Sequence, residues 1–282
     1  MLQAVVSGLT TGCLLGLVAM AMTLLYRSSR NFNLLLGDLL VLCIFVASSL
    51  AASLGSLAVF PVMVAGGLLV GGLGGTLLFR RVDAYPFTAQ LLYTFGLALV
   101  VQGVIRAFWG PDPKALNIAV APVEPLQLGE TTVHFQTIWL LVIVVAMAAG
   151  LWGLSRYTLL GKAFVAVSDN VVGARLTGIS VSLVKAGVIV LIMGLVALTG
   201  LIYGSLTAVY YASGIEFTLK AMIVALLADL ASPTAALALG LLVGLTESLA
   251  AYYISSQFKA VITFSILLFT LLVRPQGLGA AR

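Results

Sequence analysis

Residues 183–207, LVKAGVIVLIMGLVALTGLIYGSLT, carry a single charged side chain, Lys185, close to the start. About 20 predominantly apolar residues suffice to cross the hydrocarbon core of a bilayer as a helix. Hydrocarbon offers the backbone no hydrogen-bond partner, so only helices and closed barrels span it. Barrel strands alternate polar and apolar residues, and this stretch does not. It reads as a transmembrane helix.

Working outward, the runs 5–26, 34–54, 57–79, 91–109, 136–155, 217–230, 235–253 and 260–273 read the same way, 217–230 being short. Composition agrees. Of 282 residues, 62% are hydrophobic and 8% are charged, against about 45–50% and about 25% in soluble domains. That balance excludes a soluble enzyme, a disordered chain and a nucleic-acid binder with a basic face. The predicted fold is an all-α polytopic integral membrane protein with eight or nine transmembrane helices, forming one transmembrane domain over 1–282. No basic n-region precedes the first run, which continues to Tyr26, so it is expected to span rather than to be cleaved.

The net charge of +5 sits mainly in short loops between apolar runs and sets topology. With the N-terminus outside, Arg27, Arg30, Arg80, Arg81, Arg156, Lys162, Arg175, Lys185, Arg274 and Arg282 fall inside. Arg106, Lys114, Lys220 and Lys259 fall outside. Cations favour the cytoplasmic side, so the expectation is N-out and C-in, with 217–230 a true crossing. The long loop 110–135 is then exterior. Its runs 123–128 and 131–135, around Gly129-Glu130, predict a small hairpin. The loop 156–182 is cytoplasmic. Ala163, Val167, Val171, Ala174 and Ile179 keep helical spacing, which predicts a short amphipathic helix; the alternative is a solvated linker.

Gly8, Gly12 and Gly16 lie four apart, and Gly66, Gly67, Gly71, Gly72, Gly74 and Gly75 crowd the third run. Small residues at such spacing allow helices to approach closely; a role in helix movement is the other reading. Cys13 and Cys43, both inside apolar runs, are expected to act as buried small hydrophobes.

Ionisable residues inside a membrane are costly and therefore informative. Asp38 lies near the start of the second run and Glu247 midway along the eighth. Each either faces a path or fixes helix packing through a partner. Arg106 is expected to snorkel to the interface. His134 is the sole histidine and sits in the exterior loop, too little for a metal site. There is no G-x-x-x-x-G-K-[ST] phosphate loop and no Ser-His-Asp set, so the chain shows no sign of hydrolysing a nucleotide itself. Two interruptions remain: the polar stretch 26–37, with Arg27, Ser28, Ser29, Arg30, Asn31 and Asn33, and the break at Ala231-Ser232-Pro233. Such breaks line a path in many transporters; ordinary turns are the alternative.

Three blocks carry a likeness. Residues 19–26, ending in Tyr26, are followed by Asn33 and Gly37-Asp38. A second block holds Thr158, Gly161-Lys162-Ala163, Asp169-Asn170, Ala174, Leu176 and Gly178-Ile179. The third is Val273-Arg274-Pro275-Gln276-Gly277-Leu278, and the exterior stretch 125–129 fits as well. With these the chain resembles the permease subunits of branched-chain amino-acid ABC importers, the LivH-like family, over nearly its whole length. Two departures stand out. Leu34, Leu35 and Leu36 replace the family's Phe-Ala-His, and Ala228, Asp229, Leu230, Ala231 and Ser232 replace its Gly-Gly-x-Gly-Ser segment.

The resemblance implies a bacterial inner-membrane importer subunit rather than an enzyme. Its partners would be a second related permease or a second copy, two cytoplasmic ABC ATPases and an exterior solute-binding protein. ATP and magnesium would be bound by the ATPases, with no cofactor in this chain. Tyr26, Asn33, Asp38 and Glu247 are the candidate path residues. Gly161, Lys162, Ala163, Asp169, Asn170 and Arg175 are the candidate coupling contacts to the ATPases. The solute would be small and neutral or zwitterionic, branched-chain amino acids first, with urea, amides or small aromatic acids as alternatives. An ATPase-independent secondary transporter or channel would need its own intramembrane coupling site, for which Asp38 and Glu247 are the only candidates. An intramembrane enzyme lacks a nucleophile–base set.

Overall fold

The computed structural model describes residues 2–30, 32–54, 56–70, 85–116, 126–128, 131–133, 135–230 and 232–253, with six further residues between 261 and 272. Helices dominate these residues: α1 (Leu2–Ser29), α2 (Leu36–Leu54), α3 (Ser56–Val70), α4 (Phe87–Trp109), α5 (Phe135–Tyr157), α6 (Leu159–Asp169), α7 (Val171–Leu176), α8 (Val181–Leu206), α9 (Ser213–Leu227) and α10 (Pro233–Tyr253). The one sheet among the described residues is a ribbon of β1 (Leu126–Leu128) and β2 (Thr131–Val133), antiparallel, with Leu126 opposite Val133. It lies where the two short runs around Gly129-Glu130 predict a hairpin.

Eight of the nine predicted runs contain a helix. The ninth, 260–273, falls largely outside the described residues, as do 71–79 of the third, the glycines from Gly71 onward, His134 and the C-terminal block 273–278. Among the described residues, four helices are long and apolar enough to cross a membrane: α1, α4, α8 and α10. At 1.5 Å per residue, the 26 residues of α8 extend about 39 Å, beyond the roughly 30 Å of hydrocarbon. The apolar parts of α2 and α3 are shorter, and α5 with α6 forms a bent pair that adds a fifth crossing if it is one span.

The chain divides into two compact units. The first comprises Met1–Thr23, Ala119–Ala146 and Leu219–Arg282. Here α1 and α10 pack backbone to backbone. A Cβ on Gly12 would lie 2.8 Å from Leu241 Cα, and one on Gly8 2.9 Å from Ser248 Cβ. From the other side, a Cβ on Gly240 would strike the backbone of Gly16, and one on Gly244 that of Gly12. The four-residue glycine spacing is therefore a packing seam, and Ser248 Oγ donates across it to the Ala4 carbonyl at 2.7 Å.

The second unit comprises Leu24–Ile118 and Met147–Thr218. Its core is α2, α3 and α8, with α4 against α2 and α6 against α8. Leu40, Ile44, Phe45, Ile192 and Leu201 are fully buried in it. Close approach again uses glycine: a Cβ on Gly67 would lie 2.8 Å from Ala197 Cβ, and one on Gly200 2.9 Å from the Leu40 carbonyl oxygen. Gly66, by contrast, has open space around it.

The break at Ser232-Pro233 has a local cause. Pro233 opens α10, where its missing N–H would be unpaired in any case, and Ser232 Oγ accepts from Ala235 N at 3.3 Å. Upstream, Asp229 and Leu230 both take left-handed backbone, φ 57° and 52°, and Leu230 N closes the end of α9 on the Ala225 carbonyl at 3.0 Å.

Candidate functional site

Asp38 stands in the first turn of α2 and is fully buried. A carboxylate is favoured there by the helix N-terminus. The lead-in is built by Asn33, whose Oδ1 accepts from Leu35 N at 2.8 Å and so turns the chain into α2. Gln102 Nε2, from α4, donates to Asp38 Oδ1 at 2.8 Å. From α9, Gly214 lies so close that a Cβ there would strike Asp38. Thr218 Oγ1 accepts from Gly37 N at 2.8 Å and donates to the Gly214 carbonyl at 2.9 Å. Asp38 thus sits in a tight crossing of two helix starts, its Oδ1 held by Gln102 and the neighbouring Gly37 N–H held by Thr218.

Tyr26 is at the far end of the same polar stretch. Its ring packs on Phe32 at 4.9 Å, and Phe32 meets Phe87 edge-on at 5.8 Å. Arg30 ends α1 in left-handed backbone, φ 58°, and its guanidinium lies 5.7 Å from the Tyr26 ring centre. Tyr26, Asn33 and Asp38 therefore belong to one unit and one connection. Glu247 belongs to the other unit. Its Oε1 pairs with Lys220 Nζ at 2.9 Å, both side chains largely buried. The partner expected of a buried carboxylate is thus present, and it is Lys220.

The segment 156–182 folds as two short helices rather than one. Thr158 Oγ1 accepts from Gly161 N at 3.0 Å and starts α6 after a 79° turn from α5. Asn170 leaves helical geometry, φ −151° and ψ 102°, so the predicted continuous helix breaks there. Its Oδ1 then accepts from Gly173 N at 2.9 Å and starts α7. Gly178, at φ 82°, marks the end of α7. Lys162, Asp169, Asn170 and Arg175 are exposed, Ala163 half-buried and Gly161 buried. Asp169 Oδ1 also lies 3.6 Å from Arg27 Nη2, and Phe164 sits under the Arg27 guanidinium at 5.7 Å. Arg106 is exposed with its guanidinium over Tyr211. Cys13 and Cys43 are free thiols.

Sequence reasoning passed over Gln90, Thr94 and Gln102 on α4 and Thr218 on α9. The signal was there: 90, 94 and 102 share one helix face by four- and eight-residue spacing, inside a mostly apolar helix. Thr218 carried none, because its role depends on which helix start it meets.

Comparison with known proteins places this arrangement. A family model described as "Branched-chain amino acid transport system / permease component" matches residues 4–273. The high-affinity branched-chain amino acid transport system permease protein LivH of Escherichia coli (strain K12) is 25% identical over 98% of this chain and 94% of its own length. LivH of Salmonella typhimurium (strain LT2) is 24% identical with the same coverage. The permease protein BraD of Pseudomonas aeruginosa PAO1 is 26% identical over 98% of this chain and 95% of its own. No solved structure matches. With the family model covering nearly the whole chain, the protein belongs to the branched-chain amino acid transport permease family.

Proposed function

We propose that this chain is the membrane subunit of an ATP-driven ABC importer and forms part of the path for small zwitterionic solutes, branched-chain amino acids first. The observation that carries this reading is the family match over 4–273 in a chain with several long apolar helices. Its partners in this reading are a second permease subunit of the same kind, or a second copy, two cytoplasmic ATPases and an exterior binding protein. ATP and magnesium belong to the ATPases.

In this reading the chain crosses the membrane nine times, counting 217–230 as a true crossing, with the N-terminus outside and the C-terminus in the cytoplasm. Tyr26, Asn33, Asp38 and Glu247 stand along the path. The α6–α7 elbow is the coupling segment, presenting Lys162, Ala163, Asn170 and Arg175 to the ATPases. Gly161 and the Arg27-paired Asp169 hold its shape. Leu160, Val172 and Leu176 are exposed apolar side chains on the same elbow and supply contact area.

The test is reconstitution of the complex in proteoliposomes with its ATPases and binding protein. Leucine, isoleucine or valine uptake that requires ATP supports the reading. Uptake by this chain without ATPases would replace it with a secondary transporter or channel. Ala163→Trp should weaken co-purification of the ATPases or uncouple hydrolysis from uptake; unchanged docking, hydrolysis and uptake would remove the coupling assignment.

A further inference from the structure

Gln90, Thr94 and Gln102 form a polar line along α4 on the face that packs against α2 and its lead-in. Gln90 is 6% exposed and Thr94 2%; across from them Asn33 is 1% exposed and Asp38 fully buried. The line is joined at two points. Leu34 N donates to Thr94 Oγ1 at 3.4 Å, and Gln102 Nε2 donates to Asp38 Oδ1 at 2.8 Å. Gln90 Nε2 is used by the Tyr85 carbonyl at 2.8 Å.

What the line leaves over is specific. Asn33 Nδ2, Asp38 Oδ2 and Gln90 Oε1 are buried and have no hydrogen-bond partner among the described residues. Buried polar atoms are normally paired with protein or ordered water, and hydrocarbon supplies neither. Along this seam one donor and two acceptors lack a partner. The far side of α4 is different: Leu92, Leu99, Val100 and Phe108 are exposed and apolar, suited to lipid.

We propose that the α2–α4 seam is a hydrated wall of the solute path, and that Gln90, Thr94 and Gln102 are its polar contacts on α4, opposite Asn33 and Asp38. Gln90 and the Asp38-bonded Gln102 are twelve residues apart, about 18 Å along α4, so the unpaired atoms are successive contacts for a small solute that presents both donors and acceptors, as a zwitterion or an amide does. An ammonium or N–H meets Asp38 Oδ2 or Gln90 Oε1, and a carboxylate or carbonyl oxygen meets Asn33 Nδ2. This deepens the permease reading and rests on it.

The experiment uses the assembled transporter with Cys13 and Cys43 replaced by alanine. Thr94→Cys and Gln102→Cys are probed with a small hydrophilic methanethiosulfonate reagent during ATP turnover, and Leu99→Cys and Val100→Cys serve as controls. The expected result is labelling at 94 and 102 at least tenfold faster than at 99 and 100, slowed by saturating solute. No labelling at 94 and 102 means a dry packing seam and overturns the proposal; labelling that solute does not slow overturns the solute contact. A second measurement covers variants that fold poorly. Thr94→Val, which keeps shape but lacks the hydroxyl, should raise the KM for uptake several-fold, while Thr94→Ser stays near wild type. Equal KM values overturn the role of Thr94. If positions 94 and 102 label but no branched-chain amino acid is transported, the substrate reading fails while the hydrated seam stands.

Discussion

Lys220 of α9 and Glu247 of α10 meet at 2.9 Å, with side chains 14% and 5% exposed, in a unit whose α1–α10 seam is built around glycines. Removing one member of a buried pair leaves an uncompensated charge, at a cost of about 3–5 kcal/mol, whereas replacing both by apolar residues is often close to neutral. Glu247→Leu alone should therefore lower thermal stability in detergent sharply, and Lys220→Met with Glu247→Leu should recover most of it. If Glu247 serves the path as well as packing, the double variant will assemble and still transport poorly. Normal uptake in the double variant would confine the pair to a structural role.

The glycine contacts sort into two kinds that substitution should separate. Gly12→Ala places a Cβ 2.8 Å from Leu241 Cα, a backbone contact that cannot swing away. Gly103, within α4, has open space around its Cβ position. Gly103→Ala should be neutral or stabilising by up to about 1 kcal/mol from helix propensity. Gly12→Ala should be destabilising by about 1–3 kcal/mol through overpacking. Thermal unfolding of the two purified variants checks both signs.

The turn after α9 holds two non-glycine residues in left-handed backbone, Asp229 and Leu230. Asp229 is exposed, so Asp229→Gly relieves the backbone and forfeits little packing. It should stabilise by up to about 1 kcal/mol. Leu230 is 8% exposed, and burying a leucine side chain is worth about 1.5–3 kcal/mol. Loss of that burial outweighs relief of strain, so Leu230→Gly should destabilise. Opposite shifts in melting temperature are the expected result; a rise for both would mean that strain exceeds packing.

At the α6–α7 elbow the caps should matter more than the ion pair. Asn170→Ala and Thr158→Ala each remove a side-chain cap, worth about 1 kcal/mol. The Arg27–Asp169 pair spans 3.6 Å with Asp169 68% exposed, so Arg27→Ala should cost less than about 1 kcal/mol and shrink further in high salt. Hydrogen exchange across 159–176 measures both. Greater loss of protection from Arg27→Ala than from Asn170→Ala would invert the ranking.

Orientation is checked by labelling. A cysteine at position 170 should react with an impermeant reagent only from the cytoplasmic side. Reaction from outside alone would reverse the charge-based topology.

Runs such as 183–207 announce helices because hydrocarbon removes every backbone partner outside the segment, and that constraint acts on local composition alone. The hairpin and the break at Ser232-Pro233 were legible because turns and breaks are set by residues a few positions apart; that the break is a helix start capped by Ser232 came from the structure. The glycine spacing at 8, 12 and 16 promised a close contact without naming the helix that makes it; only the folded chain supplies Gly240 and Gly244. Likewise, Asp38 and Glu247 were conspicuous as charges in apolar runs, but their partners lie 64 and 27 residues away. Gln102 and Lys220 acquire meaning only when helix packing brings them to those carboxylates. In the segment 156–182 the apolar spacing ran on past Asn170, and a side chain that caps the next turn outcompeted continuation of the helix. Local chemistry chose the elements, and long-range packing chose which polar atoms found partners and which three on the α2–α4 seam found none among the described residues.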